Sequence, residues 1–171
     1  MIGLAYSESK ECKCKWKFHN EDHLEINCLN LNYKVRNKRS IQKLVDQNFN
    51  LQRSEKCPRC NQYIEIKIEK SLTHMSSNIV SELERNNYSR NLNKMVKFTD
   101  KIQTNEKIFL KGLSKDRVSY DLVAGIIHFG DENSGHYQSI IRLDNNKWAC
   151  LNDGESYIIN EQAAYERLDS N

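Results

Sequence analysis

Short segments of this chain alternate between apolar and polar positions, a pattern typical of half-buried β-strands. One run covers residues 24–28, and a second run in the opposite phase covers residues 29–35. The change of phase predicts a strand with a β-bulge or a register break near Cys28. A further alternating run at residues 64–68 predicts another strand.

Helical spacing is confined to two short segments. Ser40 can cap a helix whose apolar residues recur at helical spacing as far as Phe49. Asn160 can cap a second short helix near the end of the sequence. We therefore expect a chain of many strands with only a few helical turns.

The most informative stretch is an apolar run that enters a turn bracketed by Gly130 and Gly135 and ends at His136. Trp148 follows on a later segment, and Asn152 and Asp153 come directly after it. The two glycines suit a turn that needs unusual backbone angles or a close approach to an extended peptide. This arrangement predicts a hairpin with a histidine at the start of one strand and acceptors at the end of the next.

Such a hairpin contains the base half of a Cys-His-Asn hydrolase. A thiol has an ordinary pKa of about 8.5, so an imidazole is needed to take its proton near neutral pH. That imidazole must keep one ring nitrogen free, which requires an acceptor for the other nitrogen. Asn152 or Asp153 can be that acceptor. The alternative is a polar hairpin in which His136 is a solvated turn residue.

The six cysteines indicate metal binding rather than a disulfide framework. Cys57 and Cys60 form a Cys-x-x-Cys knuckle, in which two thiolates bind one ion through a tight turn. Cys12 and Cys14 lie upstream as a Cys-x-Cys pair and complete a predicted four-thiolate site. The alternative is an accidental or degenerate pair of motifs. The two remaining cysteines, Cys28 and Cys150, are expected to be ordinary buried thiols.

The order of these motifs resembles the ubiquitin-specific proteases, cysteine peptidases that cut ubiquitin from its conjugates. Gly-His-Tyr at 135–137 and Trp-x-x-x-Asn-Asp at 148–153 resemble the family's histidine box. Residues 79–85 resemble the strand that ends in Leu-Lys-Arg-Phe, and residues 94–98 resemble the Lys-x-x-x-x-Val-x-Phe that follows it. The cysteine pairs resemble those of the family's fingers subdomain, although the first pair is Cys-x-Cys instead of Cys-x-x-Cys.

The resemblance implies an α+β fold with a papain-like palm on an antiparallel sheet and a zinc-stapled, β-rich fingers extension. Residues 1–171 would be part of a catalytic domain, with fingers at about 12–70 and a palm at about 71–171. His136 would be the general base and then the general acid, Asn152 would orient its ring, and Asp153 would support them. Tyr137 and His128 would flank the channel for ubiquitin's tail. Structural zinc would bind to Cys12, Cys14, Cys57 and Cys60.

The resemblance does not extend to the family's catalytic cysteine or to the thumb that carries it. Cys12 and Cys14 lack the preceding Gly-Asn-Thr-like turn and the following apolar helix that such a nucleophile requires. We expect a fragment of a deubiquitinating enzyme whose nucleophile is encoded upstream. Two alternatives are an inactive homologue that binds ubiquitin or its conjugates, and a chain that pairs with a separate thumb segment.

A zinc-stapled module that binds protein or nucleic acid without catalysis is the competing function. The basic stretch Lys34–Arg39 would then contact phosphate or an acidic protein face, or else be a solvated hairpin tip. The net charge of +3 is too small to predict nucleic-acid binding by itself. No apolar run approaches 18 residues, so we expect no membrane partner and a cytoplasmic or nuclear location. An apolar share of 38% and a mean hydropathy of −0.79 predict a modest core.

Overall fold

The computed structural model describes residues 4–26, 28–32, 39–112, 116–144 and 146–170. In these ranges most of the ordered backbone is β-strand, and the helices are α1 (Ile41–Phe49) and α2 (Glu161–Asp169). The fold is therefore a mostly-sheet α+β fold, as the alternating patterns predict. Neither helix in the described ranges has the length or the apolar character needed to cross a bilayer.

The strands of the described ranges are short, apart from β2 and β6. In chain order they are β1 (Leu4–Glu11), β2 (Lys17–Ile26), β3 (Leu29–Asn32), β4 (Arg39–Ser40), β5 (Asn50–Lys56), β6 (Tyr63–Met75), β7 (Ser81–Glu84), β8 (Asn86–Ser89), β9 (Lys94–Lys97), β10 (Ile102–Gln103), β11 (Lys107–Lys111), β12 (Arg117–Asp121), β13 (Ala124–Gly130), β14 (Gly135–Arg142), β15 (Lys147–Asn152) and β16 (Glu155–Asn160).

The chain forms two compact units that alternate along the sequence. The first unit comprises Met1–Asn32, Gln42–Leu83 and Phe109–Tyr120, and the second comprises Tyr33–Ile41, Glu84–Ile108 and Asp121–Asn171. The first contains the four motif cysteines and the second contains His136. The division into fingers at about 12–70 and a palm at about 71–171 stays a prediction.

The first unit contains an antiparallel sheet in the order β2-β1-β6-β5. Its long strand β6 buries Ile66, Ile68 and Leu72 at alternating positions, as the predicted strand at residues 64–68 requires. The predicted break near Cys28 is also observed, because β2 ends at Ile26 and β3 begins at Leu29. Most of the basic stretch lies at residues 33–38, outside the described residues.

A four-stranded antiparallel sheet in the order β13-β14-β15-β16 forms the centre of the second unit. One face buries Ile127, Ile140 and Trp148 against Ala164 of α2. The Trp148 side chain is fully buried, and its ring meets Tyr165 edge-on at a centroid distance of 5.9 Å. This helix-on-sheet packing fixes β14 and β15, the two strands on which the histidine motif lies.

Asn160 caps α2 as predicted. Its backbone is extended, and its side-chain oxygen accepts a hydrogen bond from the Ala163 amide at 2.8 Å. That amide is one of the N–H groups for which the first turn of a helix has no partner of its own. The cap therefore begins the helix at the position where Ala164 can enter the core.

Replacing the cap tests its contribution to stability. Asn160→Ala should lower the free energy of unfolding by about 1 kcal/mol, because the Ala163 amide loses its acceptor. Asn160→Asp retains a side-chain acceptor and is the matched control. Urea unfolding followed by tryptophan fluorescence measures both variants. An equal loss of unfolding free energy in Asn160→Asp and Asn160→Ala would show that the side-chain hydrogen bond does not account for the stabilisation.

Candidate functional site

The histidine motif is a β-hairpin made of β13 and β14. Gly130 pairs with Gly135 at its closed end, Phe129 pairs with His136, and His128 pairs with Tyr137. The next strand, β15, lies antiparallel to β14 with Ser139 opposite Leu151 and therefore ends beside the start of β14. The hairpin predicted from the sequence is present, and Asn152 and Asp153 come to its histidine-bearing end.

Strand geometry places His136 and Asn152 on one face of the sheet. Alternate residues of a strand share a face, and directly opposed residues of neighbouring strands share a face. Ile140 is opposed to Cys150, so His136, four residues before Ile140, lies on the same face as Asn152, two residues after Cys150. This is the face that packs against α2 further along the strands.

The imidazole of His136 contacts the Asn152 side chain directly. Its Nε2 and the Asn152 Oδ1 are hydrogen-bonding partners. An amide oxygen can only accept, so in the neutral ring this contact places the proton on Nε2 and the lone pair on Nδ1. The Asp153 carboxylate lies 3.9 Å from Nδ1, and its side chain is 82% exposed. The structure therefore assigns Asn152 and Asp153 to different nitrogens of the ring.

The Asp131 side chain stabilises the turn before His136 by accepting hydrogen bonds. One carboxylate oxygen accepts from the Asn133 and Ser134 amides at 2.8 Å each, and from the Ser134 hydroxyl at 3.3 Å. The backbone N–H groups of Asn133 and Ser134 hold the pKa of Asp131 below its usual range. Gly130 has a φ of 129°, a conformation that L side chains rarely adopt.

His128 and Tyr137 lie together on the other face of the sheet. Their ring centroids are 4.6 Å apart, and the Tyr137 side chain is exposed. His128 also occupies the space into which a side chain at Gly135 would project. The structure thus brings these two predicted residues together, but not to the face that carries His136 and Asn152.

Lys97 belongs to the same neighbourhood; it lies within residues 94–98 but at a position that the Val-x-Phe motif leaves unspecified. Lys97 is the last residue of β9, and its ammonium contacts His128 and Gly130 at the end of β13. A lone lysine in a short strand carries no sequence signal that separates it from a solvated charge. Only the fold brings it to the hairpin.

Cys150 is the cysteine of the second unit, and it is fully buried as predicted. Its thiol lies 3.7 Å from Oε1 of Gln138 and 3.5 Å from Nη1 of Arg167. It belongs to the packed face under α2 and is not a partner of the His136 ring. Cys28, in the first unit, is only partly buried, and burial raises the pKa of its thiol.

The four motif cysteines converge in the first unit. Their sulfur atoms all lie within 4.8 Å of one another, with separations of 3.1 Å (Cys12–Cys14), 3.7 Å (Cys14–Cys57) and 4.0 Å (Cys12–Cys60). Zn–S bonds of about 2.3 Å in a tetrahedron place sulfurs about 3.8 Å apart. The cluster therefore has the size and the ligand chemistry of a metal site.

Both cysteine pairs sit in tight turns of similar form. Lys15 N–H donates to the Cys12 carbonyl at 2.9 Å, and Asn61 N–H donates to the Cys57 carbonyl at 2.8 Å. The residue after the second cysteine is left-handed in each pair, with φ of 66° at Lys15 and 59° at Asn61. The shorter Cys-x-Cys spacing thus still permits the turn that a pair of ligands needs.

Backbone amides favour the thiolate at one position of this cluster. Burial opposes ionisation of Cys57, but N–H groups of Cys60 and Arg59, with the neighbouring thiols, lower its pKa to about 6. Burial raises the pKa of Cys12 to about 12. Four clustered thiols cannot all ionise without a positive charge among them, which a divalent metal ion supplies.

Comparison with known proteins identifies the family. The family model described as ubiquitin carboxyl-terminal hydrolase matches residues 9–169. The chain therefore belongs to the ubiquitin carboxyl-terminal hydrolase family. It is 30% identical over 111 residues to ubiquitin carboxyl-terminal hydrolase 5 of Arabidopsis thaliana, an overlap of 61% of this chain and 12% of that protein.

Solved structures show the same fold. A SAGA DUB module of Ubp8, Sgf11, Sus1 and Sgf73 bound to monoubiquitin matches with a TM-score of 0.81 and 19% identity. That match covers 99% of this chain and 39% of the matched chain. A yeast SAGA DUB module matches with a TM-score of 0.79 and 19% identity, over 98% of this chain and 39% of that chain. The chain spans less than half of the proteins that it matches.

Gly135 is a position where the hairpin has no room for a side chain. Gly135→Ala should destabilise the second unit by about 1–3 kcal/mol, because the new methyl group meets the His128 ring and the Phe129 carbonyl oxygen. Gly154→Ala is the matched control, since no atom lies within 4 Å of the added methyl group. Urea unfolding of both variants measures the difference, and equal stability would contradict the close approach.

Proposed function

We propose that this chain supplies the histidine half of a cysteine-type deubiquitinating active site. The observation that carries the proposal is the His136–Asn152 contact across two strands of a member of the ubiquitin carboxyl-terminal hydrolase family. Support for a ubiquitin substrate comes from the similar Ubp8 module bound to monoubiquitin and from a second one bound to ubiquitin aldehyde. The second matches with a TM-score of 0.81 and 18% identity.

The reaction would use the free nitrogen of the imidazole. A cysteine thiol supplied from outside these residues would transfer its proton to Nδ1 of His136, and the thiolate would attack the isopeptide carbonyl. The imidazolium would then return that proton to the departing lysine amine, leaving a thioester. Water would hydrolyse the thioester, with His136 acting as the base again.

Asn152 has the orienting role in this scheme. By accepting from Nε2 it holds the ring plane and keeps the lone pair on Nδ1. Asp153 would stabilise the imidazolium electrostatically from the Nδ1 side. Its contribution would be small, because an exposed carboxylate is screened by water.

Tyr137 and His128 would flank the channel for ubiquitin's tail. This assignment rests on the resemblance to the ubiquitin-specific proteases. Because both residues lie on the face opposite His136, the tail would have to cross the closed end of the hairpin to meet all three. The exposure of Tyr137 agrees with such a path.

The segment at about residues 12–70, which carries the four motif cysteines, would be the fingers and would bind zinc. Cys12, Cys14, Cys57 and Cys60 would hold the ion, which would join two distant turns and add folding free energy to the unit. The histidine-bearing sheet would be the papain-like palm. We further propose that the chain is part of a longer deubiquitinating enzyme, with an inactive ubiquitin-binding homologue and a partner of a separate thumb as the alternatives.

Metal binding can be measured separately from catalysis. Purified protein should contain about one equivalent of zinc, and Cys57→Ser should lower both the zinc content and the thermal stability, because a structural site contributes to folding. Cys28→Ser is the matched control, because Cys28 lies outside the cluster. Full zinc occupancy in Cys57→Ser would show that the ligand set is wrong.

Complementation tests the catalytic proposal. Joining the chain to a thumb segment that carries the nucleophile of a related ubiquitin-specific protease should give cleavage of a ubiquitin–fluorophore substrate. His136→Ala should lower kcat/KM by about 10²–10⁴-fold, because the general base is removed. Asn152→Ala should lower it less, because the general base itself remains; Asp153 lies on the Nδ1 side and should not replace the lost acceptor at Nε2.

His19→Ala is the control for this experiment, because His19 is exposed on β2 in the first unit. It should leave kcat/KM unchanged. Cleavage that survives His136→Ala would remove the catalytic assignment. The zinc-stapled binding module would then be the better function, and binding that weakens steeply as salt rises would indicate phosphate contacts.

A further inference from the structure

The end of β13 is held from outside the hairpin by Lys97. Its ammonium donates to the main-chain oxygens of His128 at 2.6 Å and Gly130 at 2.9 Å. The same nitrogen lies 3.1 Å from Nδ1 of His128. A lysine ammonium has three N–H groups, and here it has three acceptors within three residues of chain.

The backbone around Lys97 is itself held in place by hydrogen bonds. Lys97 is the last residue of β9 and pairs with Asn86 of β8. The following residue is held as well, because the Phe98 amide donates to the Arg85 carbonyl at 2.9 Å. The Arg85 guanidinium in turn donates to the carbonyls of Phe98 at 3.2 Å and Asp100 at 2.9 Å.

The residues that Lys97 contacts are connected to His136 by the pairing of β13 with β14. Gly130 is paired with Gly135 and Phe129 is paired with His136, so the backbone that Lys97 binds lies directly beside the backbone of the histidine. Asp131 closes the turn from within, whereas Lys97 ties it to a different hairpin. A shift of residues 128–130 would therefore be passed on to His136.

We propose that Lys97 is a positioning residue for His136: its ammonium anchors the end of β13 and so sets where the imidazole meets Asn152. The catalytic meaning of this inference rests on the proposed function. Its structural part rests on the hydrogen-bond geometry alone.

The surroundings of the Lys97 ammonium support a structural role for it. Burial, and then the positive charge of Arg85, lower the pKa of Lys97, while Asp131 acts in the opposite direction. A partly desolvated ammonium is stabilised by hydrogen bonds that replace its lost water. Here the main-chain oxygens of His128 and Gly130 accept those hydrogen bonds. The Lys97 ammonium is not an ordinary solvated surface charge.

Lys97→Met removes the ammonium and keeps a side chain of similar length. Lys94→Met is the matched control, because Lys94 is exposed on the same strand and makes the same change of charge. In the 171-residue chain, ¹⁵N NMR of the His128 ring should show the Nε2–H tautomer in the parent and in Lys94→Met, because Nδ1 accepts from Lys97. Lys97→Met should give a mixture of tautomers.

Amide hydrogen exchange of the same proteins reports on the histidine directly. Exchange at residues 135–137 should be about tenfold or more faster in Lys97→Met than in Lys94→Met, since hydrogen bonds from a charged donor are stronger than neutral ones. Lys97→Arg keeps a cationic donor and should restore part of the protection. Equal exchange in the Lys97→Met and Lys94→Met variants would overturn the proposal.

Turnover of the complemented enzyme separates positioning from general stability. Lys97→Met should lower kcat about tenfold or more and leave KM within about twofold, because a displaced base affects the chemical step rather than substrate binding. An unchanged kcat would overturn the role of Lys97 in catalysis. If the complemented parent is inactive, the proposed function fails, while the exchange experiment still decides whether Lys97 anchors His136.

Discussion

The pairing of β14 with β15 is the constraint on which the candidate site depends. Ile140 opposite Cys150 sets the register, and a shift of one residue would send either His136 or Asn152 to the other face of the sheet. The register is held by burial, because Ile140 and Trp148 must both face Ala164 of α2. The contact between the imidazole and the amide is thus a consequence of how the core packs.

The thiol cluster is a second constraint, and it belongs to the other unit. Cys12 and Cys57 are both buried, although each begins a tight turn whose side chains would otherwise face water. Turns of this kind bury little apolar surface, and a bound ion is the usual means by which short hairpins keep such ends together. The two units thus differ in their central features, a cluster of four thiols in the first and helix-on-sheet packing in the second.

The sequence predicted the features that depend on local spacing. The Asn160 cap, the strand centred on Ile66, the break near Cys28 and the convergence of the cysteine pairs are all observed. The first three follow from a periodicity or a turn chemistry that acts within a few residues, whereas the convergence of the cysteine pairs follows from the four ligands that a structural metal site requires. The contact of His136 with Asn152 also followed, because a hairpin and its next strand must lie side by side.

Features set by long-range pairing could not be predicted. Strand β1 has an interior place in its sheet, yet Leu4–Glu11 is rich in polar residues and has no clear alternation. Ser7 is buried there, and its hydroxyl donates to the Ser71 carbonyl of β6 at 3.5 Å, which no local pattern reveals. The approach of Lys97 to the end of β13 likewise depends on a register between segments distant in sequence.

The most direct test of the account is the protonation of the His136 ring in the free chain. Two-bond ¹H–¹⁵N NMR distinguishes the nitrogen that carries the proton, and the account predicts Nε2–H with an unprotonated Nδ1 in the neutral ring. Asn152→Ala should remove that preference. A ring that carries its proton on Nδ1, or one that averages between tautomers in the parent chain, would contradict the claim that the histidine half of the site is already assembled.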